Sequence, residues 1–235
     1  MRHATLLLTP LLLAAPLGAQ GFEGTIAMRL SGGQGESMDA TMYTKGDRMA
    51  MVVQLPASAG PMAGKEMRSI MNHATGKVTV LLPALPGMQL PPGSKGMKMT
   101  TDMMTGPMAK QGEEADFTAR KLGTSQTIAG YSCDDYEVTS AGEVMNICVT
   151  DRLGRFTMPG TGMPGRQQPP PAWARAFGDK PMFPLKVWGT SGGSAAEMLV
   201  TSVTPGSVPA PMLDDSAEGY VDMSAMMGGG MRRNN

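Results

Sequence analysis

Histidine, cysteine and aromatic residues are scarce in this chain, and charge is thin. Its 235 residues include 2 His, 2 Cys, 4 Tyr, 5 Phe and 2 Trp, and 17% are charged. The shortage of histidine narrows the chemistry first. Nucleophilic relays and most zinc sites need an imidazole beside their other members. His3 lies at the extreme N-terminus and His73 in the turn-like stretch His73-Ala74-Thr75-Gly76, so neither is placed as a general base. No phosphate-binding loop of the Gly-x-x-x-x-Gly-Lys kind occurs. Three acidic pairs are present: Glu113-Glu114, Asp134-Asp135 and Asp214-Asp215. Neighbours on a strand point to opposite faces, so Asp134 and Asp135 do not converge. The other two pairs fall in loops and read as solvated charge. No catalytic residue is assigned, and a non-enzymatic protein without a cofactor is expected. Lys and Arg total 20 against 20 Asp and Glu. That balance argues against the basic footprint of a nucleic-acid binder.

Long apolar runs are missing beyond the first residues. A membrane-spanning helix needs about 20 apolar residues, and no later stretch provides them. The start is different. Met1, Arg2 and His3 precede two leucine triplets at 6–8 and 11–13, then the run Ala14, Ala15, Pro16, Leu17, Gly18, Ala19. A positive start, a short apolar stretch and a small-residue end form a secretory signal. Cleavage after Ala19 is expected, which makes residues 1–19 a signal peptide and the mature chain periplasmic or secreted. Residues 20–222 are expected to form a single β-rich domain, since sandwiches and barrels of this size fold as one unit. Residues 223–235 are expected to be a disordered Met- and Gly-rich tail.

The apolar pattern repeats every two residues, the signature of strands. Ile26, Met28 and Leu30 alternate with Thr25, Ala27 and Arg29, and Met49, Met51, Val53 and Leu55 alternate in the same way. Residues 39–43 lie between them, bounded by glycines at 32, 33 and 35 and by Lys45-Gly46-Asp47. These three runs predict a meander. Strand-like runs at 69–72 and 77–82 flank the His73 turn. Residues 83–96 carry prolines at 83, 86, 91 and 92, which interrupt pairing. Residues 97–114 show no period and are expected as a loop. Further strands are predicted at 118–122, within 124–150, around Phe183, Leu185 and Val187, and at 197–203. Residues 159–171 read as a Pro- and Gly-rich linker. Trp173 and Phe177, one helical turn apart, predict a short helix ended by Gly178 and Pro181. Residues 208–213 predict a last short element. The fold class is therefore mainly β, a largely antiparallel sheet with one or two short helices, because the connections are too short for crossover helices.

The two cysteines suggest a pairing. With a two-residue turn at Ser140-Ala141, Cys133 faces Cys148 directly, at a Cβ separation of about 4.5–5.5 Å that a disulfide closes with slight adjustment. The same register sets Tyr136 against Met145 and Val138 against Glu143. Asp135, Glu137 and Asn146 then share the cysteine side, so one side is mostly apolar and the other polar. An oxidising compartment makes a structural disulfide the expectation. Closing a loop of about 15 residues is worth about 3 kcal/mol. The spacing does not fit the Cys-x-x-Cys pattern of redox catalysts.

Methionine is in excess, 25 of 235 residues. Its flexible thioether fills irregular apolar space, which accounts for methionines spread along the chain. It is also a soft ligand for Cu(I). Met223, Met226, Met227 and Met231 in the tail form the alternative metal-binding set. Met97, Met99, Met103, Met104 and Met108 form a second cluster in the expected central loop.

The run Gly123-Thr124-Ser125-Gln126-Thr127-Ile128-Ala129-Gly130-Tyr131-Ser132-Cys133-Asp134-Asp135-Tyr136-Glu137-Val138, followed by residues 144–150 with Cys148, resembles the exported bacterial family catalogued as domain of unknown function 4412. Phe22-Glu23-Gly24-Thr25-Ile26, Lys45-Gly46-Asp47-Arg48 and Phe183-Pro184-Leu185 fit the same pattern, and the resemblance spans residues 22–220. That family is similar in layout to the lipoprotein-carrier superfamily typified by LolA. Its members have a curved antiparallel sheet, an incomplete barrel, whose concave apolar face holds acyl chains. The resemblance implies the same sheet here, with Met28, Met49, Met51, Val53 and Met198 facing the hollow as candidate ligand contacts. It also implies a periplasmic carrier or binding module for a lipid, an acyl chain or a lipidated protein. The alternatives are a Cu(I) binder and an envelope interaction or structural protein with a filled core.

Overall fold

The computed structural model describes residues 22–31, 36–84, 87–102, 117–140, 143–154, 156, 177, 180–189 and 197–223. The expected signal peptide, the linker at 159–171, the helix at Trp173 and the tail beyond Met223 lie outside the described residues. Twelve strands are present among the described residues: β1 (Gly24–Ser31), β2 (Ser37–Lys45), β3 (Arg48–Gln54), β4 (Glu66–Asn72), β5 (Lys77–Pro83), β6 (Gly96–Asp102), β7 (Phe117–Ile128), β8 (Tyr131–Ser140), β9 (Glu143–Thr150), β10 (Phe183–Gly189), β11 (Glu197–Pro205) and β12 (Tyr220–Asp222). They form one open, curved sheet in the order β12-β6-β5-β4-β3-β2-β1-β11-β10-β9-β8-β7. Two meanders, β1 to β6 and β7 to β11, are joined where β1 pairs with β11. Every neighbouring pair is antiparallel except β12, which lies parallel to β6. Among the described residues the helical content is two 3-10 turns, Ala57–Met62 and Ala210–Leu213.

The two faces of the sheet follow from the two-residue period. Ile26 and Met28 of β1, Ala40 and Met42 of β2, Met49, Met51 and Val53 of β3 and Met71 of β4 share one face through their cross-strand pairs. Met198 and Val200 of β11, Val187 of β10, Ile147 of β9 and Val138 of β8 continue the same core. A smaller core lies on the other side, where Ala50, Ile70 and Leu81 pack against Val208, Leu213 and Ala217. Strand β3 is therefore covered on both sides, with Met49 through Val53 all buried. Ladder irregularities occur between Ala27 and Met28, Lys121 and Ser125, and Pro184 and Lys186. Such bulges bend a strand and raise its twist, which suits a curved sheet.

Two expectations are corrected. Residues 97–102 belong to β6 rather than to a loop. Met97, Met99 and Thr101 oppose Leu82, Val80 and Val78 of β5. The alternation of Met97 and Met99 with Lys98 and Thr100 spans only two apolar positions, too short a period to stand out, and the pairing partner supplies the missing preference. The hairpin register is also shifted by two residues. Ser140 pairs with Glu143, Tyr136 with Ile147 rather than Met145, and Val138 with Met145 rather than Glu143. Asp135, not Cys133, is the ladder partner of Cys148. The disulfide still forms, diagonally, with Cα atoms 5.3 Å apart and sulfurs bonded at 2.11 Å. A two-residue shift leaves both cysteines on one face, whereas a one-residue shift would separate them.

Two glycines permit the close approaches at the ends of the first meander. At Gly24 φ is +152° and an added Cβ would sit 2.3 Å from the Thr204 carbonyl oxygen of β11. At Gly96 φ is +156° and the Leu82 oxygen would lie 2.1 Å away. Gly24→Ala is expected to cost about 1–3 kcal/mol, because the β1–β11 joint must shift to make room; chemical denaturation measures it. The Cys133→Ser, Cys148→Ser double variant is expected to lose about 3 kcal/mol in the same assay. An unchanged midpoint would show that the crosslink adds nothing to the fold.

Candidate functional site

The five residues expected to contact a ligand fall together. Met28, Met49, Met51, Val53 and Met198 lie on one face of the sheet and in one core cluster. Around them Met42 pairs directly with Met51, Met49 with Met71, and Met198 with both Leu30 and Val187. The result is a methionine-lined surface across β1 to β4 and β11. It is closed to water: the five residues are 1%, 6%, 2%, 4% and 4% exposed. Methionine has three flexible torsions and a polarisable sulfur. A face built from it can re-pack around a guest at less cost than one built from β-branched side chains. Aromatic contacts brace the second meander beside it, with Phe156 edge-on to Phe183 at 5.0 Å and Tyr136 edge-on to Phe177 at 5.2 Å.

The alternative metal set is barely represented. Met223 donates its backbone N–H to the Lys98 oxygen at 2.9 Å, while Met226, Met227 and Met231 lie outside the described residues. Met97 and Met99 sit on β6, and Met103, Met104 and Met108 again fall outside. Among the described residues no group of three His, Cys, Asp or Glu is gathered to hold a metal. His73 is exposed in the turn after β4.

The acidic pairs prove more structured than solvated charge. Asp134 and Asp135 do point apart. Asp134 accepts from Lys121 Nζ at 2.6 Å and Ser125 Oγ at 2.8 Å. These hydrogen bonds, Lys121 first, hold its carboxyl below the usual aspartate range, and the same bond raises the Lys121 ammonium. Asp135, placed on the polar side of the hairpin, is instead buried at 5% exposure. It accepts from Thr124 Oγ1 and Gln126 Nε2, each at 2.7 Å, and so pins the irregular stretch of β7. Glu113 and Glu114 lie outside the described residues.

A second built feature showed in the sequence only as the short element expected at 208–213, which is the 3-10 turn Ala210–Leu213. Residues 206–223 form a strap that leaves β11, covers the face of β2 to β5 opposite the methionines, and ends as β12. Basic side chains of the sheet, with Lys95 just before β6, fasten it by its carbonyl oxygens. Arg48 Nη1 donates to Leu213 at 3.0 Å, Arg68 Nη1 to Pro211 at 2.9 Å, Lys98 Nζ to Ser216 at 3.0 Å and Lys95 Nζ to Glu218 at 3.1 Å. Asp215 adds an ion pair with Arg48 at 3.3 Å and accepts from Asn72 Nδ2 at 3.4 Å. Next to it, Ser216 holds the Asp214 carboxyl below the usual range by hydrogen bonding. Contacts between positions more than a hundred residues apart leave no local pattern to read.

A family model described as a domain of unknown function, number 4412, matches residues 22–214. The chain belongs to that family. The 4412 region takes in β1 to β11 and the 3-10 turn of the strap, and stops before β12. No curated protein matches the chain. Among solved structures, PNGF-II overlaps it in two crystal forms. One has a TM-score of 0.43 at 10% identity, covering 90% of this chain and 33% of PNGF-II. The other has a TM-score of 0.44 at 10% identity, covering 87% and 32%. The chain thus spans about a third of PNGF-II's length. An uncharacterized conserved protein from Thermus thermophilus overlaps with a TM-score of 0.46 at 11% identity, covering 85% of this chain and 90% of that one. Overlaps this loose support no statement about activity. No helix among the described residues is long and apolar enough to cross a membrane.

Met51→Ala is expected to destabilise the fold by about 2–5 kcal/mol, and Met51→Leu by less than about 1.5 kcal/mol, in denaturant titrations. Asp134 has a depressed pKa, so its pair with Lys121 is intact at neutral pH and is lost as pH falls through that depressed value. Carboxyl NMR should find Asp134 titrating below the usual aspartate range, and Lys121→Ala should move it back up.

Proposed function

We propose that this protein is an exported, non-enzymatic binding module that receives an apolar chain, from a lipid or a lipidated protein, on its methionine-lined face. One observation supports the reading: Met28, Met49, Met51, Val53 and Met198 gather with Met42 and Met71 on a single face. An acyl chain needs a continuous apolar surface with few polar groups, and methionine is the side chain that adapts to guests of variable shape. The leader-like residues 1–19 and the crosslinked hairpin support an oxidising compartment outside the cytoplasm.

The burial of the same five residues favours a second reading, in which the core is filled by its own side chains and the protein acts through its surface. On the carrier reading the resting face is closed and cargo enters by displacing methionines. Native mass spectrometry of protein extracted under mild conditions separates the two. Co-purifying acyl mass, or micromolar displacement of a fluorescent fatty acid that Met51→Ala changes, is the expected result. A ligand-free protein that ignores the probe leaves the surface reading. Export is checked by N-terminal sequencing of periplasmic material, which should begin at Gln20.

A further inference from the structure

We propose that the groove holding residues 206–223 also accepts the same segment from a second copy of this chain, so that two chains lock by exchanging straps. The fastening is built for exchange. Four of its polar bonds run from Arg48, Arg68, Lys95 and Lys98 to backbone carbonyls. Any extended segment presents such oxygens, so these bonds grip without selecting. Selection rests on Asp215 against Arg48 and Asn72 and on Val208, Leu213 and Ala217, which pack against Ala50, Ile70 and Leu81. An identical strap satisfies all of these by construction, which is what favours a second copy over an unrelated peptide.

The strap is also a weakly held unit. Its strand β12 is three residues long and pairs with β6 alone. Its three buried anchors are modest in size, and the fastening bonds of Arg68, Lys95 and Lys98 are exposed. Segments with few buried apolar contacts and exposed hydrogen bonds open ahead of the core. The hinge is suited to the move. Pro205, Gly206 and Ser207 are exposed, and Gly206, at φ +134°, is tied by one N–H to the Glu23 oxygen at 3.1 Å. Reversing the path of this short hinge exchanges the strap and preserves every contact beyond it.

Opposed charges supply the test. In an Arg48→Asp chain the groove repels its own Asp215. In an Asp215→Arg chain the groove keeps Arg48 and repels its own strap. Mixed one to one, an exchanged pair restores Arg48 with Asp215 at one groove and creates the reversed pair at the other. Light scattering after gel filtration should find each variant monomeric alone. The mixture should form a heterodimer about tenfold or more tighter than either homodimer. A mixture that stays monomeric overturns the proposal, as does a heterodimer that survives removal of residues 206–223 from both chains. A second measurement uses the unaltered chain and does not depend on how the variants fold. In hydrogen exchange, the Met212, Tyr220 and Met223 amides should exchange about a hundredfold faster than those of Ala50 and Met51 in β3. Equal rates would mean that the strap leaves only with global unfolding, and would also overturn the proposal.

Discussion

The pairing of β1 with β11 makes one sheet out of two. Its eight register pairs run from Gly24 opposite Pro205 to Ser31 opposite Glu197. On either side of it the strands are linked in simple sequence order, and such hairpins close at little entropic cost. This joint links distant parts of the chain, as β12 on β6 also does, and its loop-closure cost is met by burying Ile26, Met28, Met198 and Val200. The disulfide gives it no help, because both cysteines lie inside the second meander. Close approach at Gly24 is part of the same constraint. A topology dominated by one long-range pairing should fold slowly for its size.

Strand β3 is where the two built faces meet. Met49, Met51 and Val53 look into the methionine core, while Arg48 and Ala50 look toward the strap. The strap arises directly from β11, one half of the joint, and returns to the far edge at β6. It therefore runs across the back of the strands whose front carries the candidate ligand surface. A shift in β3 is felt on both sides.

Much of this is readable from the amino acids, and the exceptions have physical causes. Alternation in residues 26–30 and 49–53 places β1 and β3, and with them four of the five candidate contacts, because a half-buried strand advertises its period. Met198 follows from the strand at 197–203. The cysteines identify the crosslink, yet the ladder read from them is off by two residues. A register two residues away keeps the same side chains on each face, and composition cannot tell the two apart. Strand β6 escapes notice because its alternation, Met97 and Met99 against Lys98 and Thr100, has only two apolar members. Asp135 reads as a surface group because burial of a carboxylate depends on donors brought by β7, here Thr124 and Gln126. The strap shows only as the short element at 208–213, and its fastening is hidden for a simpler reason: carbonyl oxygens carry no sequence at all.

The closed methionine face has a chemical corollary. Thioethers oxidise to sulfoxides when oxidants reach them. Met88, 40% exposed, stands unprotected, whereas Met28, Met42 and Met51 are at most 2% exposed. Oxygen added to a buried member of this set would also make it polar and lock it out of its former packing. If cargo parts this face as proposed, sulfoxide mass on Met28, Met42 or Met51 would be the lasting trace of each exposure.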